Sequence, residues 1–212
     1  MEFVGYIQAA VAAYLLGSIP TGFLVAKSKG IDIRNVGSGN IGATNVIRAI
    51  GKPAGVFVLV IDGLKGYAAC EWLAQIILHW GAGQTAELEL LKIIGAGCAV
   101  LGLNYTCWLR CKGGKGIATS AGVLAGLVPV ALLIILGVWA VVFALTRYVS
   151  LASIAASFSL PFATLLTGGS LTLILVTSAM AVLAIYKHRP NIQRLLAGTE
   201  SRFGAKKEQA AP

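Results

Sequence analysis

The run IATSAGVLAGLVPVALLIILGVWAVVFALT, residues 117–146, carries no charge and holds one proline, Pro129. A helix that spans a bilayer needs about 17–25 predominantly apolar residues, so this run is long for one crossing and short for two. Proline lacks a backbone N–H and disfavours helical backbone at the residue before it. Splitting the run at Pro129 gives a short 117–128 and a normal 130–146. The choice decides how often the chain crosses, and therefore which loops share a membrane face.

Further apolar runs lie at 3–26, 53–80, 91–109, 151–167 and 171–186. The 212 residues are 57% hydrophobic and only 12% charged, and the mean hydropathy is +0.82. A soluble domain carries about 25% charged residues, so the composition is that of an integral membrane protein and excludes a soluble one. The runs are continuous and lack the alternation of a membrane barrel. The first opens on Glu2 rather than a basic region and has no A-x-A site, which argues against a cleaved secretory signal.

The net charge of +9 is unevenly placed. Lys27, Lys29, Arg34, Arg48 and Lys52 form one basic group, Arg110, Lys112 and Lys115 a second, and Lys187, Arg189, Arg194, Arg202, Lys206 and Lys207 a third. Residues 81–90 have no basic side chain and carry Glu87 and Glu89. The positive-inside rule puts the three basic groups in the cytoplasm and 81–90 outside. The chain must then cross an even number of times between Lys115 and Lys187, which requires the split at Pro129. The expected fold is all-α, a polytopic bundle of seven transmembrane helices with the N-terminus outside and the C-terminus cytoplasmic. Residues 1–204 are expected to form one integral-membrane domain, and 205–212 a disordered basic tail near anionic lipid.

The cytoplasmic face receives the polar stretch NVGSGNIGATNVIR, residues 35–48. Gly37, Gly39 and Gly42 spell G-x-G-x-x-G, but without a βαβ unit this is no dinucleotide signature. Its chemistry survives: glycines let backbone N–H groups turn towards one point and bind an anion, as a helix start does. Ser38, Asn40, Thr44 and Asn45 add uncharged hydrogen-bonding groups, and Arg48 adds a guanidinium suited to phosphate. RCKGGKGIATS, residues 110–120, repeats the recipe with Gly113, Gly114 and Gly116 around Lys115. Two anion cradles on one face suit two phosphates, or one substrate held from both sides. Close helix packing is the competing account of the glycines; it leaves Arg48 and Lys115 unexplained.

Asp62 and Lys65 stand three apart inside an apolar run, where charges are paired or functional. A mutual ion pair and a role for Lys65 at the phosphate site are equal alternatives. His188 stands in the third basic group with Arg189, Asn191 and Arg194. The cysteines Cys70, Cys98, Cys107 and Cys111 form no CxxC pair and read as buried small hydrophobes; no metal site or disulfide framework is expected.

GSGNIGATNVIR, KGGKGIAT and HRPNIQRLLAGTE, in this order between apolar runs, resemble the bacterial acyl-phosphate:glycerol-3-phosphate acyltransferase family. The resemblance runs from YLLGSIPTG, beginning at Tyr14, to Glu200. It implies a seven-helix enzyme of the bacterial inner membrane, with its active site facing the cytoplasm. The reaction it implies moves a fatty acyl group from acyl phosphate, not acyl-CoA, to the sn-1 hydroxyl of glycerol 3-phosphate. The products are lysophosphatidate and phosphate, and this is the first step of phospholipid synthesis. By the same resemblance Ser38, Gly39, Asn40, Ile41 and Gly42 cap the acyl phosphate, with Thr44 and Asn45 beside them. Arg48, Lys115, Ser153, His188 and Asn191 are expected around glycerol 3-phosphate, and Glu200 to hold loop shape. Ser38, Arg48, Lys115, His188 and Asn191 are the candidate catalytic set. No cofactor, metal or nucleic acid is expected; membrane lipid is an expected partner, and the enzyme that makes acyl phosphate a candidate one. Two positions depart from the family pattern: Leu103 where histidine is usual, and Cys111 where an aromatic is usual.

The soluble-type dyad H-x-x-x-x-D is absent, since Gln84 follows His79 and Gln193 follows His188 at that spacing. With few bases and many cations, the expected mechanism is substrate-assisted, the phosphate of glycerol 3-phosphate taking the proton. A small anion transporter would explain helix-end anion sites, but not why all polar segments share one face. A purely structural membrane protein leaves the basic loop residues unexplained.

Overall fold

The computed structural model describes residues 2–80 and 86–204. Part of the expected outer segment 81–90, and the tail 205–212 with Lys206 and Lys207, lie outside them. Every regular element among the described residues is helical. Five stretches among them are long and apolar enough to cross a membrane: Phe3–Lys27, Lys52–Trp80, Leu88–Leu109, Pro129–Thr146 and Val149–Leu166. Leu171–Lys187, taken with Arg189–Leu196 across a 55° bend, makes a sixth.

The chain divides into two compact units, Met1–Pro129 and Val130–Pro212. The first contains α1 (Glu2–Ser18), α2 (Thr21–Lys27), α3 (Ala43–Ala49), α4 (Lys52–Tyr67), α5 (Leu73–Trp80), α6 (Leu88–Asn104) and α7 (Ile117–Leu127). α4 and α5 are joined by a π-helical segment, Ala68–Trp72. The long run is indeed two helices: α7 ends at Leu127, Val128 leaves helical geometry at φ −143°, and α8 (Pro129–Thr146) starts on the proline. A following proline disfavours helical backbone at that residue. The 11 residues of α7 rise about 16 Å at 1.5 Å each, roughly half the hydrocarbon core.

The first apolar run also differs from one continuous helix. Pro20 breaks it between α1 and α2 and frees carbonyls that a straight helix would satisfy. Distant side chains take them: the Thr106 hydroxyl donates to the Ser18 carbonyl at 2.6 Å, and Lys65 Nζ to the Ile19 carbonyl at 2.8 Å. The Ser18 hydroxyl donates to the Gly102 carbonyl at 3.2 Å, and Tyr14 Oη to the Tyr105 carbonyl at 2.8 Å. α1 thus lies along α6 closely enough that a Cβ on Gly17 would strike the Ala99 carbonyl, and one on Gly102 the Tyr14 carbonyl. Small residues that admit such approach are how membrane helices pack.

Asp62 and Glu71, the acids within the Lys52–Trp80 stretch, are both paired. Asp62 Oδ1 meets Lys65 Nζ at 2.8 Å with both side chains buried, and Glu71 Oε2 meets Lys92 Nζ at 2.7 Å. The expectation for the cysteines needs correction. Cys70 is buried and Cys98 half-buried, but Cys107 and Cys111 are exposed. Cys107 opens the 3₁₀ turn Cys107–Leu109 that follows the end of α6, and Cys111 lies just after it, so both belong to a loop rather than to a packed helix.

The second unit contains nearly all of α8, then α9 (Val149–Leu166), α10 (Leu171–Lys187) and α11 (Arg189–Leu196). The turn between α8 and α9 is held by Arg147 in the left-handed region, φ 63°. The Phe203 N–H donates to the Arg147 carbonyl at 2.8 Å, and the Phe203 ring stands edge-on to Phe143 at 5.6 Å. The segment after α11 is thereby strapped back onto the α8–α9 turn.

Candidate active site

The polar stretch 35–48 folds as a short loop running into α3. Asn45, in the first turn of α3 and only 2% exposed, organises it. Asn45 Oδ1 accepts from the Ser38 N–H at 3.0 Å. Its Nδ2 donates to the carbonyls of Val36 at 2.9 Å, Asn40 at 2.9 Å and Ile33 at 3.3 Å. Asn40 closes the other end, its Oδ1 accepting from the Gly42 N–H at 2.8 Å. Gly37 and Gly39 sit at φ 62° and 68°, left-handed backbone that glycine adopts without a steric cost. Ser38 is exposed between them, Thr44 half-buried, and Arg48 exposed one turn after Thr44 on the same face of α3.

Nearby Arg34 has a different occupation. Its Nε and Nη2 hold Asp32 at 2.9 and 2.6 Å. The guanidinium hydrogen bonds keep that exposed carboxyl down at about 2. The guanidinium also lies 5.0 Å from the Phe23 ring centroid.

The second glycine segment is pinned to the end of α6. The Gly114 N–H donates to the Leu103 carbonyl at 3.0 Å. A Cβ on Gly113 would run into that same carbonyl, so the chain can pass there only as glycine. Gly116, at φ 78°, turns the backbone into α7, and a Cβ on it would stand 2.8 Å from Asn104 Oδ1. Lys115 is half-buried between Gly114 and Gly116.

The two segments meet. A Cβ placed on buried Gly114 would lie 3.6 Å from Ile41 Cγ1 and 3.9 Å from Asn40 Oδ1. Leu103, where the family pattern has histidine, is 4% exposed and packs with Ile41, Val46, Ile33 and Leu109 in one apolar cluster beneath both loops. The departure therefore puts an apolar side chain into a packed core.

In the second unit, Ser153 lies in the second turn of α9, its hydroxyl donating to the Val149 carbonyl at 2.8 Å and accepting from Trp139 Nε1 at 3.2 Å. His188 stands at the α10–α11 junction, 2% exposed, with Nδ1 2.8 Å from the Ala184 carbonyl. In a neutral ring that carbonyl holds the proton on Nδ1 and makes Nε2 the acceptor. Glu200 gathers three donors: Asn191 Nδ2 at 2.7 Å, Ser150 Oγ at 2.8 Å and Arg194 Nε at 2.7 Å. Burial pushes its carboxyl up, but the hydrogen bonds from Asn191, Ser150 and Arg194 and the charge of Arg194 outweigh it and hold it below the usual range. Ser150 was not among the residues the sequence singles out; a serine in a first helical turn carries no signal until its partner is known. Lys65 is 5% exposed and committed to Asp62 and the Ile19 carbonyl.

These features define an all-helical integral membrane protein in which two glycine-built loops, each beside a basic residue, adjoin at the ends of α3 and α7. The chain belongs to the glycerol-3-phosphate acyltransferase family, whose model matches residues 7–198. It is 48% identical to a glycerol-3-phosphate acyltransferase of Desulforudis audaxviator over 98% of this chain and 100% of that one. A relative of the same description from Geotalea daltonii is 44% identical over 93% of this chain and 97% of its own. The structure is also similar to a crystal structure of PlsY (YgiH), an integral membrane glycerol 3-phosphate acyltransferase, in its glycerol 3-phosphate form. The TM-score is 0.83 at 42% identity, covering 94% of this chain and 96% of that one.

Proposed function

We propose that this protein acylates glycerol 3-phosphate at its sn-1 hydroxyl, taking the acyl group from acyl phosphate at the cytoplasmic face of the bacterial inner membrane. The observation that carries this reading is the meeting of the two glycine segments, Gly114 against Asn40 and Ile41. It supports a pair of phosphorylated substrates held close together. In this reading residues 1–204 act as one domain with seven crossings, the short α7 among them, the N-terminus outside and the C-terminus cytoplasmic. The basic groups on one predicted face support that orientation.

Ser38, Gly39, Asn40, Ile41 and Gly42, with Thr44, cap the acyl phosphate, and Asn45 serves that site by holding the loop from within. Arg48, Lys115, Gly113, Gly114, Gly116, Ser153, His188 and Asn191 serve glycerol 3-phosphate, and Glu200 keeps Asn191 oriented. Of the two alternatives for Lys65, its burial against Asp62 and the Ile19 carbonyl supports the ion pair. The sn-1 oxygen attacks the acyl carbonyl carbon, the bond from that carbon to the phosphate oxygen breaks, and phosphate leaves. The hydroxyl proton passes to the phosphate of glycerol 3-phosphate itself. Acyl phosphate is a mixed anhydride with a good leaving group, so the protein's task is to bring two anions together. Positioning supplies about 7–11 kcal/mol of such a barrier, and donors aimed at the developing charge supply more.

The test is purified protein with palmitoyl phosphate or palmitoyl-CoA and glycerol 3-phosphate. Phosphate release and 1-palmitoyl-glycerol 3-phosphate are expected from the first donor only. Equal turnover with the thioester, or phosphate release without acylated product, overturns the proposal.

A further inference from the structure

Asp62 and Lys65 tie together three parts of the first unit that the sequence keeps far apart. Lys65 Nζ donates at 2.8 Å to the Ile19 carbonyl, which at the Pro20 break also accepts from the Thr21 N–H at 3.0 Å. Asp62 Oδ1 accepts from the Thr21 hydroxyl at 2.9 Å, in the first turn of α2, and from Lys65 Nζ at 2.8 Å. All three side chains are buried. α2 in turn presses on the Ser38 loop: a Cβ on Gly22 would strike the Ile41 carbonyl and come within 3.2 Å of Val46 Cγ2. The adjacent stripe of the same α4 turn holds α7, since a Cβ on Gly66 would meet the Thr119 carbonyl and one on Gly122 the Gly63 carbonyl. Thr119 lies three residues beyond Gly116 and the second glycine segment.

We propose that the Asp62–Lys65–Thr21 cluster is a positioning device for the proposed acyl-phosphate loop, setting the angle at the Pro20 break so that α2 carries Gly22 against Ile41. A buried ion pair is a poor source of net stability, because desolvation offsets its attraction; fixing one geometry at a backbone break is a use that its hydrogen bonds serve directly. The kinetic part of this inference rests on the proposed reaction, and the structural part does not.

Two variants test it. Thr21→Val removes one hydroxyl and leaves the ion pair. The double variant Asp62→Leu/Lys65→Met removes both charges together, which avoids a lone buried charge. Each is compared with wild type for kcat, for KM towards palmitoyl phosphate and towards glycerol 3-phosphate, and for tryptic cleavage after Arg34 relative to cleavage after exposed Arg202. The positioning role predicts faster cleavage after Arg34 in both variants. It also predicts a higher KM for palmitoyl phosphate, an unchanged KM for glycerol 3-phosphate, and kcat/KM lower by up to about 10²-fold, the scale of a 1 Å misplacement. A rise in KM for glycerol 3-phosphate alone would make Lys65 a ligand contact and overturn the proposal. Variants with normal kinetics per folded molecule and an unchanged cleavage ratio would make the cluster merely structural and overturn it too. If wild type shows no transfer at all, the proposed reaction fails, and the cleavage ratio still decides the positioning role.

Discussion

Replacing Asn45 by aspartate changes one side-chain nitrogen to oxygen and should undo the Ser38 loop. The new carboxylate still accepts from the Ser38 N–H, as Oδ1 does now at 3.0 Å. Its second oxygen, however, faces the carbonyls of Val36, Asn40 and Ile33, which Nδ2 now reaches at 2.9, 2.9 and 3.3 Å. An amide nitrogen has two hydrogens, so two hydrogen bonds are lost; the Val36 and Ile33 carbonyls keep the Gly39 and Val36 N–H groups at 3.1 and 3.3 Å, whereas the Asn40 carbonyl loses the bond from Nδ2. At about 1–3 kcal/mol for that acceptor and about 0.5–1.5 kcal/mol for the other lost bond the cost is about 1.5–4.5 kcal/mol, before the repulsion between oxygens is counted. Even the lower limit changes the population of the ordered loop by about tenfold, since about 1.4 kcal/mol is a factor of ten. The assay is phosphate release from palmitoyl phosphate and glycerol 3-phosphate, read beside tryptic cleavage after Arg34. The expected result is a fall in kcat/KM of at least about tenfold with faster cleavage, and a smaller fall for Asn45→Ala, which brings no repelling oxygen. Near-normal turnover in Asn45→Asp would refute the reasoning. So would a higher KM for palmitoyl phosphate with unchanged protease resistance, because Asn45 would then be acting on the ligand rather than on the loop.

Ser38→Ala and Arg48→Ala should abolish phosphate release in folded protein; near-normal turnover in either counts against the proposed roles. Gly113→Ala pushes a methyl into the Leu103 carbonyl, and overpacking of about 1–3 kcal/mol should lower kcat/KM by about fivefold or more, whereas Gly97→Ala, which meets nothing within 4 Å, should be silent in the same assay. His188→Ala should fall short of the 10²–10⁴-fold loss of about that size expected of a general base; such a loss at constant KM for glycerol 3-phosphate would end the substrate-assisted mechanism. Because the Glu200 carboxyl is held below the usual range by its three donors, the folded state binds its proton less readily than the unfolded chain. Its stabilisation is then full above the ordinary carboxylate range and lost as pH falls through the folded value. The melting-temperature gap between wild type and Glu200→Gln should be widest near neutral pH and close on acidification; a gap independent of pH would contradict the network.

Apolar run length, charge placement and one proline were enough to read much of this protein from its residues. Long uncharged runs can satisfy their backbone in lipid only as helices, so the helical class follows from composition. Pro129 breaks its run for a reason contained in the proline ring and its neighbour, whereas the break at Pro20 within the run 3–26 was not read. The glycine segments read as anion cradles, with close packing as the competing account; the structure shows close backbone approach at Gly113, where nothing larger fits against the Leu103 carbonyl. What stayed illegible was who answers whom. Lys65 reaches a carbonyl 46 positions earlier in the chain, and Thr106 one that is 88 earlier. Asn45 reads as a ligand group and turns out to be bonded to the loop on four sides. Leu103 reads as a missing histidine and lies under Ile41 as core. The second glycine segment could have stood anywhere on its membrane face; packing of α6 and α7 put it against the first. Local pattern specifies the conformation of a segment because the forces that set it act within a few residues. Partners across the fold depend on how helices approach one another, and only the packed tertiary structure decides that.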